Sequence, residues 1–394
     1  FDLNNLKHIN DAYGHPAGDD AIQSFARLLE ETFPAPSLVG RVGGDEFSVI
    51  TKKTDFAALR RKVSPIIEGF QLKVGPDAAG TTTVACSVGA ASTCFAGADL
   101  NLLVNQADEA MYFAKKRVSG LEFYDSNMRA RSNRRLELSS QLRRDVANDR
   151  IKAVFQPIFD LSTSKIVAFE ALARWKTPRL GEVGPDEFLP VAQDAGIICE
   201  LDSVVRRQAF ELCRDLRDRG SQIPVSVNVT APDLARTDFL ERFVEDLGAS
   251  GLSGSDVIVE VTERIFDDRG GHTIDTLSAL ARLGVSVQLD DFGKGFSSHG
   301  LLPLFSFDAA KIDMHFAGDP VKDTKAAAIV ISLLNLAREI GLKVVLEGIE
   351  TQDQRDFATQ QLPDRVQGFL MGRPVDKAKV IELVQSPGLM VAAE

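Results

Sequence analysis

The sequence is poor in the residues that build disulfide frameworks and zinc sites. Its 394 residues include four cysteines and five histidines. Cys86, Cys94, Cys199 and Cys213 are scattered without C-x-x-C spacing, which argues against a disulfide framework and against a zinc knuckle. The histidines show no metal-ligand spacing either. This cysteine usage fits a reducing compartment, so we expect a cytoplasmic protein or the cytoplasmic part of a larger sensor.

Long apolar runs and an excess of positive charge are also missing. The longest apolar stretch, AAAIVISLLNLA over residues 326–337, is too short to span a bilayer, and we expect no membrane contact from this sequence. The formal net charge of -11 argues against a protein surface that binds a long stretch of nucleic acid. It still allows a small anionic ligand that is held through metal ions. The chain begins at Phe1 rather than Met, which leaves an upstream sensory or targeting region open.

The length and the 44% hydrophobic content fit two globular domains. Residues 129–144 contain six arginines and one glutamate, with leucines at helical spacing, which predicts an exposed connecting helix. Its basic face is either simply solvated or a regulatory contact between domains. We therefore predict a first domain over 1–125, a linker helix over 126–147 and a second domain over 148–394.

The second half alternates short β-prone runs with helical patterns. The run VFQPI is followed by IVAFE, VSVNV, VIVEVTE, VSVQLDD, AAKID, VVLEGIE and RVQGF. Eight strands separated by helices, with polar residues at the strand ends, predict an α/β barrel of the TIM type whose site lies at the C-terminal face. Only LSTSK separates the first two runs, which is too short for a parallel crossover. We expect those two strands to form an antiparallel hairpin.

Metal-binding and phosphate-binding residue types end seven of these runs. They are Glu170, Asn228, Glu260, Glu263, Asp290, Asp291, Lys311, Glu347, Glu350 and Gln367. Any one acid is often an N-cap or a loop residue, but converging carboxylates repel each other unless cations neutralise them. Oxygen ligands without histidine or cysteine favour Mg²⁺ or Mn²⁺ over zinc. The pattern predicts a divalent-metal site suited to phosphodiester hydrolysis, in which Lys311 orients water or offsets phosphate charge.

These motifs resemble those of the EAL family of cyclic-di-GMP phosphodiesterases over about residues 136–384. The resemblance is carried by EAL at 170–172 with Arg174, and by NVT, EVTE, DDFG, KID, EGIE and QGF in that order. It implies hydrolysis of cyclic-di-GMP to linear pGpG with two Mg²⁺ or Mn²⁺ ions. It also implies a homodimer that pairs near the loop after Asp291.

The resemblance assigns roles to individual residues. The implied metal ligands are Glu170, Asn228, Glu260, Asp290, Asp291 and Glu347. The implied catalytic residues are Lys311 and Glu347, together with Glu170. The residues implied to contact substrate are Gln156, Arg174 and Gln367, and those implied to support the loop and the ligands are Glu263, Asp313 and Glu350. Departures from the family pattern are Gln193, Lys294, Phe296 and His299, which bear on loop gating and rate.

The first half has a different rhythm, with apolar runs on both sides of Gly43 and Gly44 that predict a β-hairpin in an α+β sandwich. RVGGDEFSVI resembles the GGDEF motif of diguanylate cyclases, which implies a nucleotide-cyclase-like fold with a ferredoxin-like core. The residues implied to bind nucleotide or metal are Asp2, Asn10, Asp19, Gly43, Gly44, Asp45, Glu46 and Lys115. The departures are Asn4, Leu6, Pro34, Ser37 and Ser119.

Three functions of the whole chain follow from the two resemblances. The leading one is a metal-dependent cyclic-di-GMP phosphodiesterase whose first domain binds Mg²⁺–GTP as a regulator. The second is a bifunctional enzyme that also makes cyclic-di-GMP from GTP, and the third is a receptor that binds cyclic-di-GMP without cleaving it. A first domain that is only structural is the remaining possibility for that half.

Overall fold

The computed structural model describes residues 1–52, 55–74, 80–93, 99–117, 120–266, 271–294 and 305–385. The departures Phe296, His299 and Ser119 lie outside the described residues, as does Cys94. The chain forms two compact units, Phe1–Leu136 and Glu137–Glu394. Within the described ranges, the helices all lack the length and apolar content that a membrane-spanning segment needs.

The first unit is built from seven strands and four helices in its described part. The strands are β1 Asp2–Leu3, β2 Leu38–Gly43, β3 Glu46–Ile50, β4 Phe70–Val74, β5 Gly80–Val84, β6 Cys86–Ala90 and β7 Leu121–Phe123. The helices are α1 Leu6–Tyr13, α2 His15–Thr32, α3 Phe56–Glu68 and α4 Leu100–Arg117. Five strands form one sheet in the order β2-β3-β1-β6-β7, and β4 pairs with β5 in a separate ribbon.

The sheet of the first unit is organised around β1, which pairs antiparallel with both β3 and β6. Phe25 and Leu29 on α2 are fully buried in the core, as the apolar stripe of that helix predicts. The predicted hairpin is confirmed, since β2 and β3 are antiparallel and Gly44 turns the chain at φ +50. The run TTTVACSVGA is divided between the ribbon and the main sheet, because β5 and β6 pair with different partners.

The second unit starts within a long helix and continues as alternating strands and helices. Its strands are β8 Lys152–Asp160, β9 Ile166–Thr177, β10 Gly181–Val183, β11 Val225–Asn228, β12 Val257–Thr262, β13 Ser286–Asp290, β14 Ala309–Asp313, β15 Lys343–Glu347 and β16 Arg365–Val366. Its helices are α5 Met128–Ala147, α6 Pro185–Asp194, α7 Ile198–Asp218, α8 Ala231–Leu234, α9 Phe239–Ala249, α10 Gly271–Arg282, α11 Thr324–Glu339, α12 Gln352–Gln361 and α13 Lys377–Gln385.

Eight of these strands close into a barrel in the order β8-β9-β11-β12-β13-β14-β15-β16, with β16 pairing back to β8. Strand β9 and the strands β11 to β16 run parallel to one another, whereas β8 is antiparallel to both β9 and β16. The predicted barrel is therefore confirmed. Strand β10 is added at the outside, antiparallel to the end of β9.

The register of the barrel aligns the polar strand ends. Asn228 lies opposite Glu260, and Asp313 lies opposite Glu347. Because side chains two positions apart on a strand face the same side of the sheet, Glu260 and Thr262 share one face, and Thr262 lies opposite Asp290. Adjacent strands thus deliver carboxylates to one edge of the barrel.

The connecting helix α5 is not exposed along its whole length, so the prediction of an exposed helix is wrong for its second half. Leu136 is exposed, but Leu138 and Leu142 belong to the core of the second unit. The indole Nε1 of Trp175 donates a hydrogen bond of 2.9 Å to Asp145 on the same helix. The sequence shows these leucines at helical spacing among the arginines of α5. Helical spacing alone, however, does not say which part of the protein a helix packs against.

A glycine at the foot of the barrel gives a test of its packing. A Cβ atom at Gly254 would collide with the carbonyl oxygen of Leu283 and the amide nitrogen of Val285, both backbone atoms that cannot rotate away. We expect Gly254→Ala to destabilise the second unit by about 1–3 kcal/mol in thermal or chemical denaturation. Gly248→Ala is the matched control, because a Cβ there meets no atom within 4 Å. Equal stability of the two variants would contradict this packing.

Candidate functional site

The second unit buries a lysine among four carboxylates at the C-terminal edge of its barrel. The ammonium of Lys311 on β14 lies 2.7 Å from Glu260 and 2.9 Å from Glu347. It lies 3.3 Å from Glu170 and 3.7 Å from Asp290. These acids come from β9, β12, β13 and β15, so barrel closure is what brings them together. We call these five residues the Lys311 cluster.

Burial and charge act against each other in this cluster. Burial raises the pKa of Glu260 and of Asp290, and it raises the pKa of Glu347 to about 8. Burial is the largest influence on Glu170 and opposes its ionisation, but the Lys311 ammonium and the hydrogen bonds from Gln367 and Asn228 together outweigh burial and lower the pKa of that carboxyl. Burial alone would lower the pKa of Lys311, yet the surrounding acids raise it well above its usual value. Lys311 is therefore held as a cation.

Amide side chains position the carboxylate of Glu170. Gln367 donates a hydrogen bond of 2.6 Å to Glu170 Oε2, and Asn228 donates a longer one of 3.4 Å to Oε1. Gln156 lies opposite Glu170 in the β8–β9 pair and donates to the carbonyl oxygen of Gly372. The antiparallel direction of β8 thus adds an amide beside the acid of β9.

A pocket of about 290 Å³ opens above the cluster. The predicted residues that line it are Gln156, Glu170, Asp290, Asp291, Lys311, Asp313, Glu347, Glu350 and Gln367. Glu260 contributes to the cluster from below, fully buried against Lys311. Arg174 does not line the pocket and donates to the carbonyl oxygen of Ala173. We call this cavity the barrel pocket.

The turn after β13 is held by acidic side chains and by one added lysine. Glu263 accepts a hydrogen bond of 2.9 Å from the amide of Gly293, as expected for a residue that supports the loop. Lys294 lies 2.7 Å from Asp291 and 2.9 Å from Asp313. Partial burial would lower the pKa of Lys294, but the hydrogen bonds to these two acids raise it. The next residues of the loop, 295–304, lie outside the described ranges.

The sequence argument missed a residue at the mouth of the barrel pocket. Phe369 lines the pocket with 41% of its surface exposed, and the Arg373 guanidinium lies 4.8 Å from its ring centroid. An exposed ring at a polar pocket offers a stacking surface for a flat ligand. The signal in the sequence was the aromatic residue directly after Gln367-Gly368, within a motif that drew attention only to its glutamine.

The cluster has the donor chemistry of a hard-cation site, although its acids converge on Lys311. Across the described residues, no three acidic, histidine or cysteine side chains are arranged to hold a metal ion as they stand. Four carboxylates nevertheless share one buried ammonium, and Glu260 Oε1 is buried without a hydrogen-bond partner among the described residues. Carboxylate and amide oxygens fit Mg²⁺ or Mn²⁺. The predicted metal ligands stay a prediction.

The first unit has a separate pocket of about 590 Å³ beside β1. Asp2, Asp45 and Lys115 line it, and the Lys115 ammonium lies 2.6 Å from the buried Asp2 carboxylate. Glu46 lies opposite Asp2 in the sheet but does not line the pocket. The remaining predicted residues of this unit, Asn10, Asp19, Gly43 and Gly44, are also absent from its lining. Three of the eight predicted residues thus come together.

Comparison with known families matches both units. The model of the family described as "EAL domain" matches residues 139–374, more than half of the chain. This chain belongs to the EAL family. The model described as "Diguanylate cyclase, GGDEF domain" matches residues 1–120. The barrel is therefore the EAL unit, and the N-terminal unit is a GGDEF domain.

Relatives share both parts. The Pseudomonas aeruginosa protein named "Cyclic di-GMP phosphodiesterase NbdA" is 30% identical over 98% of this chain and 49% of its own length. The same organism's "Bifunctional diguanylate cyclase/cyclic di-GMP phosphodiesterase MucR" is 31% identical over 98% of this chain and 56% of its own length. The chain spans about half the length of these curated relatives. The solved structure "PaMucR Phosphodiesterase, c-di-GMP complex" is 31% identical in sequence and superposes with a TM-score of 0.59. The matched region is 62% of this chain and 99% of that structure's chain.

The Lys311 cluster can be tested without any ligand. Lys311→Met removes the only cation of the cluster and leaves buried carboxylates that repel each other, so we expect a loss of about 3–5 kcal/mol in the unfolding free energy of the EAL unit. Adding Glu260→Gln to this variant removes one of the repelling charges and should restore part of the loss, because neighbouring residues do not act additively. Additive effects of the two substitutions in denaturation experiments would contradict the proposed coupling.

Proposed function

We propose that the EAL unit hydrolyses cyclic-di-GMP to linear pGpG and depends on divalent metal ions. The observation that carries the proposal is the Lys311 cluster at the floor of the barrel pocket, in a chain of the EAL family. A related EAL domain, 31% identical, is named a phosphodiesterase and was solved with cyclic-di-GMP. The pocket offers this dianionic ligand oxygen donors for metal, a fixed cation and an exposed aromatic ring.

Metal ions would be held by the strand-end residues Glu170, Asn228, Glu260, Asp290, Asp291 and Glu347. When bound there, paired Mg²⁺ or Mn²⁺ ions would supply positive charge for the phosphate oxygens and would make water more nucleophilic at neutral pH. Lys311 is held protonated by its carboxylates, so its role is to offset phosphate charge and orient the water, since it has no free lone pair to act as a base. Glu347 lines the pocket 2.9 Å from Lys311, and a carboxylate that holds metal is ionised, so it is the better group to accept a proton.

The rest of the pocket would hold the nucleotide. Gln367 donates a hydrogen bond to Glu170 and lines the pocket, and Gln156, the cross-strand partner of the same acid, lines the pocket as well. Phe369 would stack on a guanine base at the mouth. Arg174 follows Glu170 on β9 but does not line the pocket, so its contact with a phosphate stays a prediction from the resemblance. Pairing of two EAL units near the loop after Asp291, and a cytoplasmic location, remain predictions from the resemblance.

The GGDEF unit is proposed to bind Mg²⁺–GTP and to regulate the EAL unit. Its pocket brings Asp2 and Asp45 together with the ammonium of Lys115, a combination of metal ligands and a phosphate-binding cation. The alternative is a bifunctional enzyme that also makes cyclic-di-GMP, and the relative MucR is named as such an enzyme. The amide Asn4, which accepts a hydrogen bond from the Ser87 hydroxyl, replaces a carboxylate at this pocket and supports binding over synthesis.

The proposal predicts the effect of removing one metal ligand. Glu170→Ala should abolish hydrolysis of cyclic-di-GMP by the purified chain with Mg²⁺ or Mn²⁺, because a carboxylate of the Lys311 cluster is lost. The product is followed chromatographically so that pGpG is resolved from intact substrate. Unchanged turnover in this variant, with its fold intact by circular dichroism, would rule out the proposed site. Binding of cyclic-di-GMP by the unaltered protein without cleavage would favour a receptor.

The regulatory role is tested in the same assay by adding GTP. We expect GTP to change the rate of pGpG formation in the unaltered chain and to lose this effect in Lys115→Ala, which removes the cation of the GGDEF pocket. Formation of cyclic-di-GMP from GTP would establish the bifunctional alternative instead. An identical GTP response in the two proteins would remove the GGDEF pocket from the explanation.

The role of Phe369 has its own test. Loss of a stacking surface typically costs about 1–3 kcal/mol per base, so Phe369→Ala should weaken cyclic-di-GMP binding roughly 5- to 150-fold. The effect should appear in KM or Kd and leave kcat nearly unchanged, since the ring lies away from the Lys311 cluster at the pocket mouth. Phe56→Ala is the matched control, because Phe56 is similarly exposed but lies in the GGDEF unit. Equal affinities would refute the stacking role.

A further inference from the structure

A second lysine lies at the barrel pocket, and it contacts a different pair of acids from those of Lys311. The ammonium of Lys294 is 2.7 Å from Asp291 Oδ1 and 2.9 Å from Asp313 Oδ2. Both acids line the barrel pocket, and Asp291 is one of the residues proposed above to bind metal. One oxygen of a proposed metal ligand is therefore already occupied by a cation of the chain itself.

The local backbone holds Lys294 in this place. Asp291 adopts a left-handed conformation with φ +56, which an aspartate tolerates better than most residues, and Gly293 has φ +96. The amide of Lys294 donates to the carbonyl oxygen of Asp291 and closes the turn. Glu263 fixes the same turn from the other side through the amide of Gly293. The side chain of Lys294 thus starts from a fixed point above the two acids.

The two lysines differ in their freedom to leave. Lys311 is 1% exposed and has carboxylates on several sides, so its ammonium cannot move out to bulk solvent without disrupting the core. The side chain of Lys294 is 37% exposed, and both of its partners are also open to solvent. Solvent-exposed ion pairs are weak, so a divalent cation can displace this ammonium at a modest cost. The ammonium of Lys294 therefore occupies the site reversibly.

We propose that Lys294 is an internal competitor of the metal ion, and that it raises the divalent-metal concentration at which the EAL site fills. The inference rests on the proposed metal-dependent function and adds a residue that sets the metal requirement. Without bound metal, the ammonium holds Asp291 and Asp313 in place and reduces their mutual repulsion. When metal binds, the side chain turns outward to solvent, and its positive charge close to the site still disfavours the metal by a Coulomb repulsion.

The test measures metal binding directly, in the full chain and without substrate. We expect Lys294→Met to lower the Kd of the weaker Mn²⁺ site roughly 3- to 30-fold, measured by calorimetry or by the electron paramagnetic resonance signal of free Mn²⁺. Lys294→Arg keeps the charge and should retain the weak binding. Lys379→Met is the matched control, because Lys379 forms an exposed pair with Glu382, 2.8 Å apart and three residues away, outside the barrel pocket.

The outcomes separate this inference from the proposed function. If Lys294→Met binds Mn²⁺ with the affinity of the unaltered chain, while both hydrolyse cyclic-di-GMP, the competitor role is overturned and the phosphodiesterase stands. If Lys294→Arg binds metal as tightly as Lys294→Met, charge is not the cause and the inference is also overturned. If no variant binds Mn²⁺ although each keeps the thermal transition of the unaltered chain, the metal-dependent function itself falls. Tighter binding in Lys294→Met alone supports the inference.

Discussion

The structure of the EAL unit depends on how one buried ammonium balances several buried carboxylates. Glu260, Glu347 and two further acids converge on Lys311 from four different strands of the barrel. Desolvated carboxylates repel each other strongly, so a cation at this place stabilises the closed barrel. The same repulsion that opposes folding creates a strong attraction for added positive charge. The same electrostatic arrangement therefore affects both folding and ligand binding.

The barrel supplies the geometry through register and through strand direction. Parallel neighbours place Asn228 opposite Glu260 and Asp313 opposite Glu347 at one edge. The reversed strand β8 adds Gln156 opposite Glu170, although its chain runs the other way. The site thus takes its carboxylates mainly from strand ends, and it takes the amide of Gln156 from the antiparallel pair of β8 and β9. The turn directly after β13 then brings the ammonium of Lys294 to within 2.9 Å of Asp313.

The strand ends were predictable because polar residues that follow β-prone runs must meet at the same edge of a parallel sheet. The alternation of β-prone runs with helical patterns predicted the barrel and its eight strands, and the turn glycines predicted the GGDEF hairpin. The contacts between individual charged side chains were not predictable. Which acid touches Lys311, and that Lys294 bridges Asp291 and Asp313, depends on barrel register and on the turn after β13. The burial of Leu142 was hidden for a similar reason, since a helical pattern does not name its packing partner.

The helix α5 bears on how this chain can be divided and recombined. Its second half carries Leu138, Leu142 and Val146 into the EAL core, and Asp145 holds Trp175 on the strand that also carries Glu170. A barrel cut after Ala147 would lose part of its own core and an anchor of that strand. The portable module therefore begins inside the helix, near residue 137. Gene fusions that exchange the N-terminal unit have to preserve this half-helix. It is a structural part of the barrel domain rather than a spacer.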